Sequence, residues 1–274
     1  MLVRSLLVIG VILAGTSTYA ADDVSGRGSV YGGSLQNESS DATVVGGDGR
    51  VMVRFSENFG IQADAQLARI SSETTTFNQQ DLTATRNTLS DAIFSTKIRA
   101  GYIDPNYAFA IGAGTGSVSS RNHFNGGIDG LIFFDNISIR SEASIRHGER
   151  QNTVLLGTLG ADFFPIDNLM LSLDGSYGQV VNAGDTVFAN PFLENDTVLM
   201  ASASADYRFE IAPLGLGIGY GYFTSSPDRG GDVHVFLARG TVYFGSTSIR
   251  DERQTGALFG RNFGFLETFL DGLL

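Results

Sequence analysis

The stretch Leu214 to Phe223, LGLGIGYGYF, sets a glycine at every second position and a bulky apolar or aromatic residue at each position between. Side chains on a strand alternate between two faces, so this segment is greasy on one face and bare on the other. A soluble strand gains nothing from a face without side chains, because glycine weakens it and packs nothing. The segment therefore calls for a sheet with unlike surroundings, apolar on one side and with space kept on the other.

The two-face pattern recurs along the chain. Ile137 to Arg146 places Ile137, Ile139, Ser141, Ala143 and Ile145 on one face and Ser138, Arg140, Glu142, Ser144 and Arg146 on the other. Leu169 to Gly178 and Leu199 to Arg208 repeat it, with leucine, alanine and tyrosine against serine, aspartate and arginine. Such runs match the ~9 to 11 residues that a tilted strand needs to cross a bilayer. The periodicity predicts twelve strands, at 27–36, 49–56, 59–70, 93–102, 107–118, 123–134, 137–147, 153–164, 168–179, 197–209, 214–224 and 233–244. Ten is the alternative count, since glycine and serine dilute the pattern in the first two.

The connections fall into two sets. One is tight and rich in turn formers: Ser56-Glu57-Asn58, Asp104-Pro105-Asn106, Asp135-Asn136, Pro165-Ile166-Asp167 and Glu210 to Pro213. The other, alternating with it, is generally longer and polar: 37–48, 71–92, 119–122, 148–152, 180–196 and 225–232. Short turns at one end and longer loops at the other are the pattern of a closed, antiparallel transmembrane β-barrel. An exported β-sandwich would mix its loop lengths at both ends. Aromatic residues gather near the tight turns, at Phe55, Phe59, Tyr102, Tyr107, Phe133, Phe134, Phe163, Phe164, Tyr207, Phe209, Tyr243 and Phe244, as an interfacial girdle would require.

Mean hydropathy is +0.06. A barrel averages to such a value because lipid-facing and lumen-facing residues cancel. Residues 1–20 carry Arg4, an apolar run from Leu6 to Ala14 and a small-residue close at Thr18-Tyr19-Ala20, the order of a secretory signal peptide. With no cysteine in the chain, the exported fold cannot use disulfides. The formal charge of −11 argues against nucleic acid as a partner. The expected organisation is a signal peptide at 1–20, a barrel at 21–244 and a periplasmic tail at 245–274.

On these features the chain resembles the porin-like outer-membrane β-barrels of Gram-negative bacteria, over residues 27 to 244. The last strand, VFLARGTVYF, ends in Phe244, and in that family a terminal aromatic looks like the signal read by the barrel assembly machinery. Thirty residues follow Phe244 here, where family members commonly stop. The resemblance implies an outer-membrane location among lipid and lipopolysaccharide, small hydrophilic solutes as cargo, and no cofactor. It leaves the oligomeric state open.

If the apolar parity faces lipid, the lumen receives Arg54, Asp64, Lys97, Arg99, Asp129, Arg140, Glu142, Arg146, Asp162, Asp174, Asp206, Arg208 and Arg239, together with Gln62 and Gln66. These charges fit a wet pore or a network of ion pairs closing the interior. Twelve strands lie between barrels that fill themselves and porins that hold water. The bare tracks Ala108, Ala110, Gly112, Gly114, Gly116 and Gly215, Gly217, Gly219, Gly221 favour a narrow pore with a thinned wall. A closed structural or adhesion barrel with binding carried by its loops is the alternative, and a lipid-modifying enzyme a more distant one.

Catalytic chemistry is sparsely provided. The Asp135-Asn136 turn sets Phe124 opposite His147, which puts His123 and His147 on opposite faces and denies them a shared metal or proton. In the tail, Phe259, Phe263, Leu266, Leu270 and Leu273 recur at helical spacing. A helix packed under the barrel is the expectation there, and a plug or a docking helix the alternative.

Overall fold

The computed structural model describes residues 24–37, 41–78, 83–118, 121–148, 152–182, 197–225, 232–255 and 259–260. The expected signal peptide, the segment 183–196 and the stripe residues Phe263, Leu266, Leu270 and Leu273 lie outside them.

Twelve strands close into one antiparallel barrel in which every strand pairs with its sequence neighbours and the last returns to the first. They are β1 (Val24–Gln36), β2 (Asp41–Ser56), β3 (Phe59–Asn78), β4 (Thr83–Ile103), β5 (Tyr107–Val118), β6 (Arg121–Phe133), β7 (Ile137–Gly148), β8 (Asn152–Ile166), β9 (Leu169–Asn182), β10 (Thr197–Arg208), β11 (Leu214–Ser225) and β12 (Val233–Phe244). One short helix, α1 (Ile249–Thr255), follows.

The count and the facing of the strands agree with the periodicity. Ile137, Ile139 and Ile145 point outward and Arg140, Glu142 and Arg146 inward. Phe124 pairs with His147 as the turn implied. The outer surface is aliphatic and aromatic: Ile111 and Ile218 are each 67% exposed. Water would not tolerate so continuous an apolar wall on a monomer, whereas lipid would.

The loop set differs from expectation. Strands β2, β3 and β4 run well beyond their apolar alternation, and β3 and β4 stay paired as far as Asn78 opposite Thr83. The extension is rich in threonine, at Thr74, Thr75, Thr76, Thr83, Thr85 and Thr88, and a β-branched polar residue keeps the strand without marking a lipid face. Apolar alternation reports where a strand is in lipid; it does not report where the strand ends. The connections between strands at this end accordingly shrink to 37–40, 79–82, 119–120 and 149–151, with 183–196 and 226–232 the longer ones.

The aromatic girdle is also divided. Phe55, Phe59, Tyr107, Phe134, Phe163, Tyr207 and Phe209 face outward, but Phe133, Phe164 and Tyr243 are buried inside the barrel. Adjacent aromatics on a strand must split between its faces. At 133/134 and 163/164 one member of each pair serves the lipid interface and the other the interior.

Inside, the barrel is layered. Nearest the tight turns, Met52, Ile103, Ala108, Ala110, Leu131 and Phe133 form one apolar cluster, and Phe164, Met170 and Tyr243 part of a second. A charged layer lies above them. Toward the loops, Leu35, Val44, Ile93, Val118, Leu156, Met200, Phe223, Val235 and their neighbours form a broad aliphatic layer in which Val44 and Val235 are 0% exposed.

Candidate functional site

The charged layer gathers the residues expected in the lumen. Asp64 accepts Arg50 Nε at 2.8 Å and is also paired with Arg99, whose Nε reaches Asp129 at 3.0 Å. Lys97 Nζ lies 2.7 Å from Glu142. Arg140 donates to both oxygens of Asp162, at 2.9 and 3.0 Å, and meets Asp174 at 2.9 Å. Arg239 holds Asp206 through two nitrogens, the Nε contact at 2.7 Å. Arg208 turns toward the barrel end, where it donates to the Ser246 carbonyl at 2.8 Å and covers the Tyr243 ring. Arg146 is buried with inward parity on β7, and Arg54 shares the inward parity of Met52 on β2. Buried charge is tolerated at Arg50, Lys97, Arg99, Arg140 and Arg239 because each shares a close opposite charge; an unpaired one would cost ~3–5 kcal/mol.

The glycine tracks explain how these pairs reach one another. Asp206, Gly217 and Arg239 occupy one row across β10, β11 and β12. Two strand spacings separate the acid from the base, ~9.5 Å, and they join over the glycine: a Cβ there would strike the Asp206 carboxylate and lie 2.9 Å from Arg239 Nε. Arg140, Gly160 and Asp174 repeat the arrangement across β7, β8 and β9, with Arg140 Nη2 at 3.2 Å from a Cβ built on Gly160. At Gly112 a Cβ would sit 2.7 Å from Arg99 Cγ, and at Gly215 it would sit 2.9 Å from the Tyr243 ring. The space that Gly112, Gly215 and Gly217 keep is thus taken by neighbouring side chains. Gly114 and Gly116 likewise adjoin Asn125 and His123.

The chain after β12 completes the site. Gly245, at φ 68°, reverses the backbone directly after Phe244, and a Cβ there would collide with the Val24 carbonyl. Ser248 caps α1 by accepting the Asp251 amide at 2.9 Å, and Asp251 in turn accepts the Thr247 amide at 2.7 Å. This Ser248-Ile-Arg-Asp251 signal is the one by which the helix could have been found in the sequence. Ile249, Glu252 and Arg253, spaced i, i+3 and i+4, form its buried face. Ile249 packs on Phe164, Met170 and Tyr243. Glu252 approaches Arg27 at 3.8 Å. Arg253 donates from Nε to Asp162 at 2.7 Å, on a carboxylate that already holds Arg140 and Ser172. Burial lowers the pKa of Arg253 to about 10 against the pull of Asp162, and the nearby guanidinium groups of Arg140, Arg50 and Arg27 add to the lowering. The outer face is tied to the turns, Arg250 to Asp167 and Gln254 to the Phe134 carbonyl.

The segment then reaches the opposite wall. Phe259 is 1% exposed and belongs to the cluster of Met52, Ile103, Ala108 and Leu131. Its ring lies 2.9 Å from where a Cβ on Gly101 would be. Its amide donates to Gln62 Oε1 at 3.0 Å, and its carbonyl accepts Gln62 Nε2 at 2.7 Å. Gly260, at φ 92°, passes close to Arg50 and Arg99, and its carbonyl accepts from Arg253. Phe259 lies in a bend, not in the helix its spacing implied, and with Ile249 and Arg253 it lies within the barrel mouth instead of beneath it.

The histidines do not converge. His123 is buried in the lumen, while His147 is on the outer face, 3.0 Å from Thr153 Oγ1, and His234 meets Tyr220 at 2.7 Å. Among the described residues there is no group of three or more His, Asp or Glu able to hold a metal ion.

No family model matches the sequence, and no curated protein matches it either. Solved structures do resemble it. An outer membrane channel from Pseudomonas putida F1 superposes with a TM-score of 0.58 at 10% identity, covering 84% of this chain and 98% of that one. The NanC porin gives 0.51 at 10% identity, covering 78% and 98%. The beta domain of the Bordetella autotransporter BrkA gives 0.50 at 13% identity, covering 81% and 100%. At such identities the likeness is one of fold, and the fold is that of outer-membrane β-barrels.

Proposed function

We propose that this chain is a porin-like barrel of the outer membrane and that its lumen passes small hydrophilic solutes by diffusion. The observation that carries the reading is the charged layer: acids and bases from nearly every strand face inward in a barrel whose outward face is apolar. Such side chains are costly in lipid and natural beside water or an ionic solute. The apolar outer wall and the signal-like residues 1–20 support the location, and Phe244 at the end of β12 suits recognition by the barrel assembly machinery. The likeness in fold to an outer membrane channel and to a porin supports the class of function. Planar-bilayer recording tests it: stepwise ionic currents are expected, and a folded barrel that stays silent both intact and without residues 250–274 would refute it.

A second reading is favoured by one observation, the aliphatic layer at the loop end with Val44 and Val235 closed to solvent. That layer suits a barrel sealed for good, with binding carried by its loops, and persistent silence in the same recordings would support it. A catalytic reading has no arrangement behind it among the described residues, since His123 and His147 lie on opposite faces.

A further inference from the structure

We propose that the inner wall around Gln62, Arg50 and Asp162 is a docking site for the chain's own C-terminal segment, and that this segment is a removable plug governing conduction. The inference rests on the channel reading and adds the device that controls it.

Three observations converge on it. The described parts of the segment touch both sides of the lumen: Ile249 and Arg253 engage β8 and β9, while Phe259 engages β2 through β6 on the far side. A chain crossing the mouth in this way obstructs anything entering from the turn end.

Its grip is specific. The side-chain amide of Gln62, 0% exposed, clasps the backbone of Phe259 through both of its polar atoms, as a neighbouring strand would. Glycine at 260 lets the backbone pass against Arg50 and Arg99, where a Cβ would lie 2.9 and 3.2 Å from their Nη2 atoms.

The carboxylates Asp162 and Asp64, moreover, do not depend on the segment for their pairing, although Arg27 on β1 meets Glu252 of α1. Asp162 keeps Arg140 and Ser172, and Asp64 keeps Arg50 and Arg99, whether or not Arg253 is present. At these two carboxylates docking therefore adds contacts to groups already paired within the wall, which is what a reversible occupant requires. Gly245 supplies the pivot at the barrel rim.

The chain contains neither tryptophan nor cysteine, so Phe259→Trp makes a sole indole reporter of docking. In the refolded full-length protein it should emit as a buried indole and resist iodide; adding Gln62→Ala and Arg253→Glu should shift it to solvent-exposed emission. In planar bilayers, Phe259→Ala and deletion of 250–274 should each raise open-state occupancy about tenfold or more over the intact chain, the change that ~1.4 kcal/mol of lost docking energy produces. An exposed reporter in the otherwise intact chain overturns the docking. Equal currents from intact, Phe259→Ala and truncated barrels overturn the plug while leaving the channel reading in place. Silence from all three with a buried reporter overturns the plug together with the channel reading.

Discussion

The two halves of the lumen both carry buried side chains, yet of different chemistry. Toward the loops the wall carries Leu35, Val44, Ile93, Met200 and Val235, side chains that gain from mutual burial and need no orientation. Toward the turns it offers acids and bases held in pairs, and a second piece of chain, 249–260, fits among them. Aliphatic packing is indifferent to which neighbour arrives, whereas a carboxylate and a glutamine amide accept few partners. The difference teaches that the turn half is the discriminating one, and that the loop half gives the barrel its plain cohesion.

Substitutions can break this contrast. The largest effect is expected from Asp162→Ala, which leaves Arg140 and Arg253 buried without their shared carboxylate; stability should fall by about 3–5 kcal/mol, read by urea unfolding in vesicles. A loss below that of an exposed pair would mean that the turn half is wetter than its burial indicates. Next, Met200→Ala in the aliphatic layer should cost ~2–5 kcal/mol by leaving a cavity, with no dependence on salt. A salt-sensitive loss there would erase the distinction between the halves. Smaller again, Gly217→Ala should cost about 1–3 kcal/mol, because the methyl group forces Asp206 and Arg239 apart. In a background of Asp206→Ala with Arg239→Ala, which removes both groups the methyl would strike, the same Gly217→Ala change should cost far less, and that would sharpen the assignment of the glycine to the ion pair. The smallest effect belongs to Arg250→Ala at the rim, where Asp167 is 67% exposed; about 0.2–1 kcal/mol is expected, and it should vanish in high salt.

Much of the barrel was legible from period alone. The parity of Ile137 to Arg146 placed each residue on its correct face, and one turn, Asp135-Asn136, sufficed to align His147 with Phe124. What escaped depends on contacts between strands that no single strand encodes. Gly217 of LGLGIGYGYF reads as space, and space it is, but only the row Asp206–Gly217–Arg239, like Arg140–Gly160–Asp174 elsewhere in the barrel, reveals that charged side chains fill it. Inward-facing Phe133, Phe164 and Tyr243 were hidden because an aromatic near a turn suits the lipid interface equally well. The helix at Ile249–Thr255 was hidden because its buried face is Glu252 and Arg253, residues that an apolar-stripe search passes over. The Thr-rich ends of β3 and β4 read as loop because their polarity outweighed their shape.

The clasp between Gln62 and Phe259 joins positions 197 residues apart. Its receptor is assembled from strands β2 through β6, and the pocket for Ile249 from β8, β9 and β12, so neither exists until the sheet has rolled up around both. The segment is also the last of these parts to leave the ribosome. A contact with such prerequisites depends on the pairing of the strands that build its two pockets. Phe259 is thus tied to the register of the sheet: a mispaired strand anywhere between β2 and β6 would leave it without a seat.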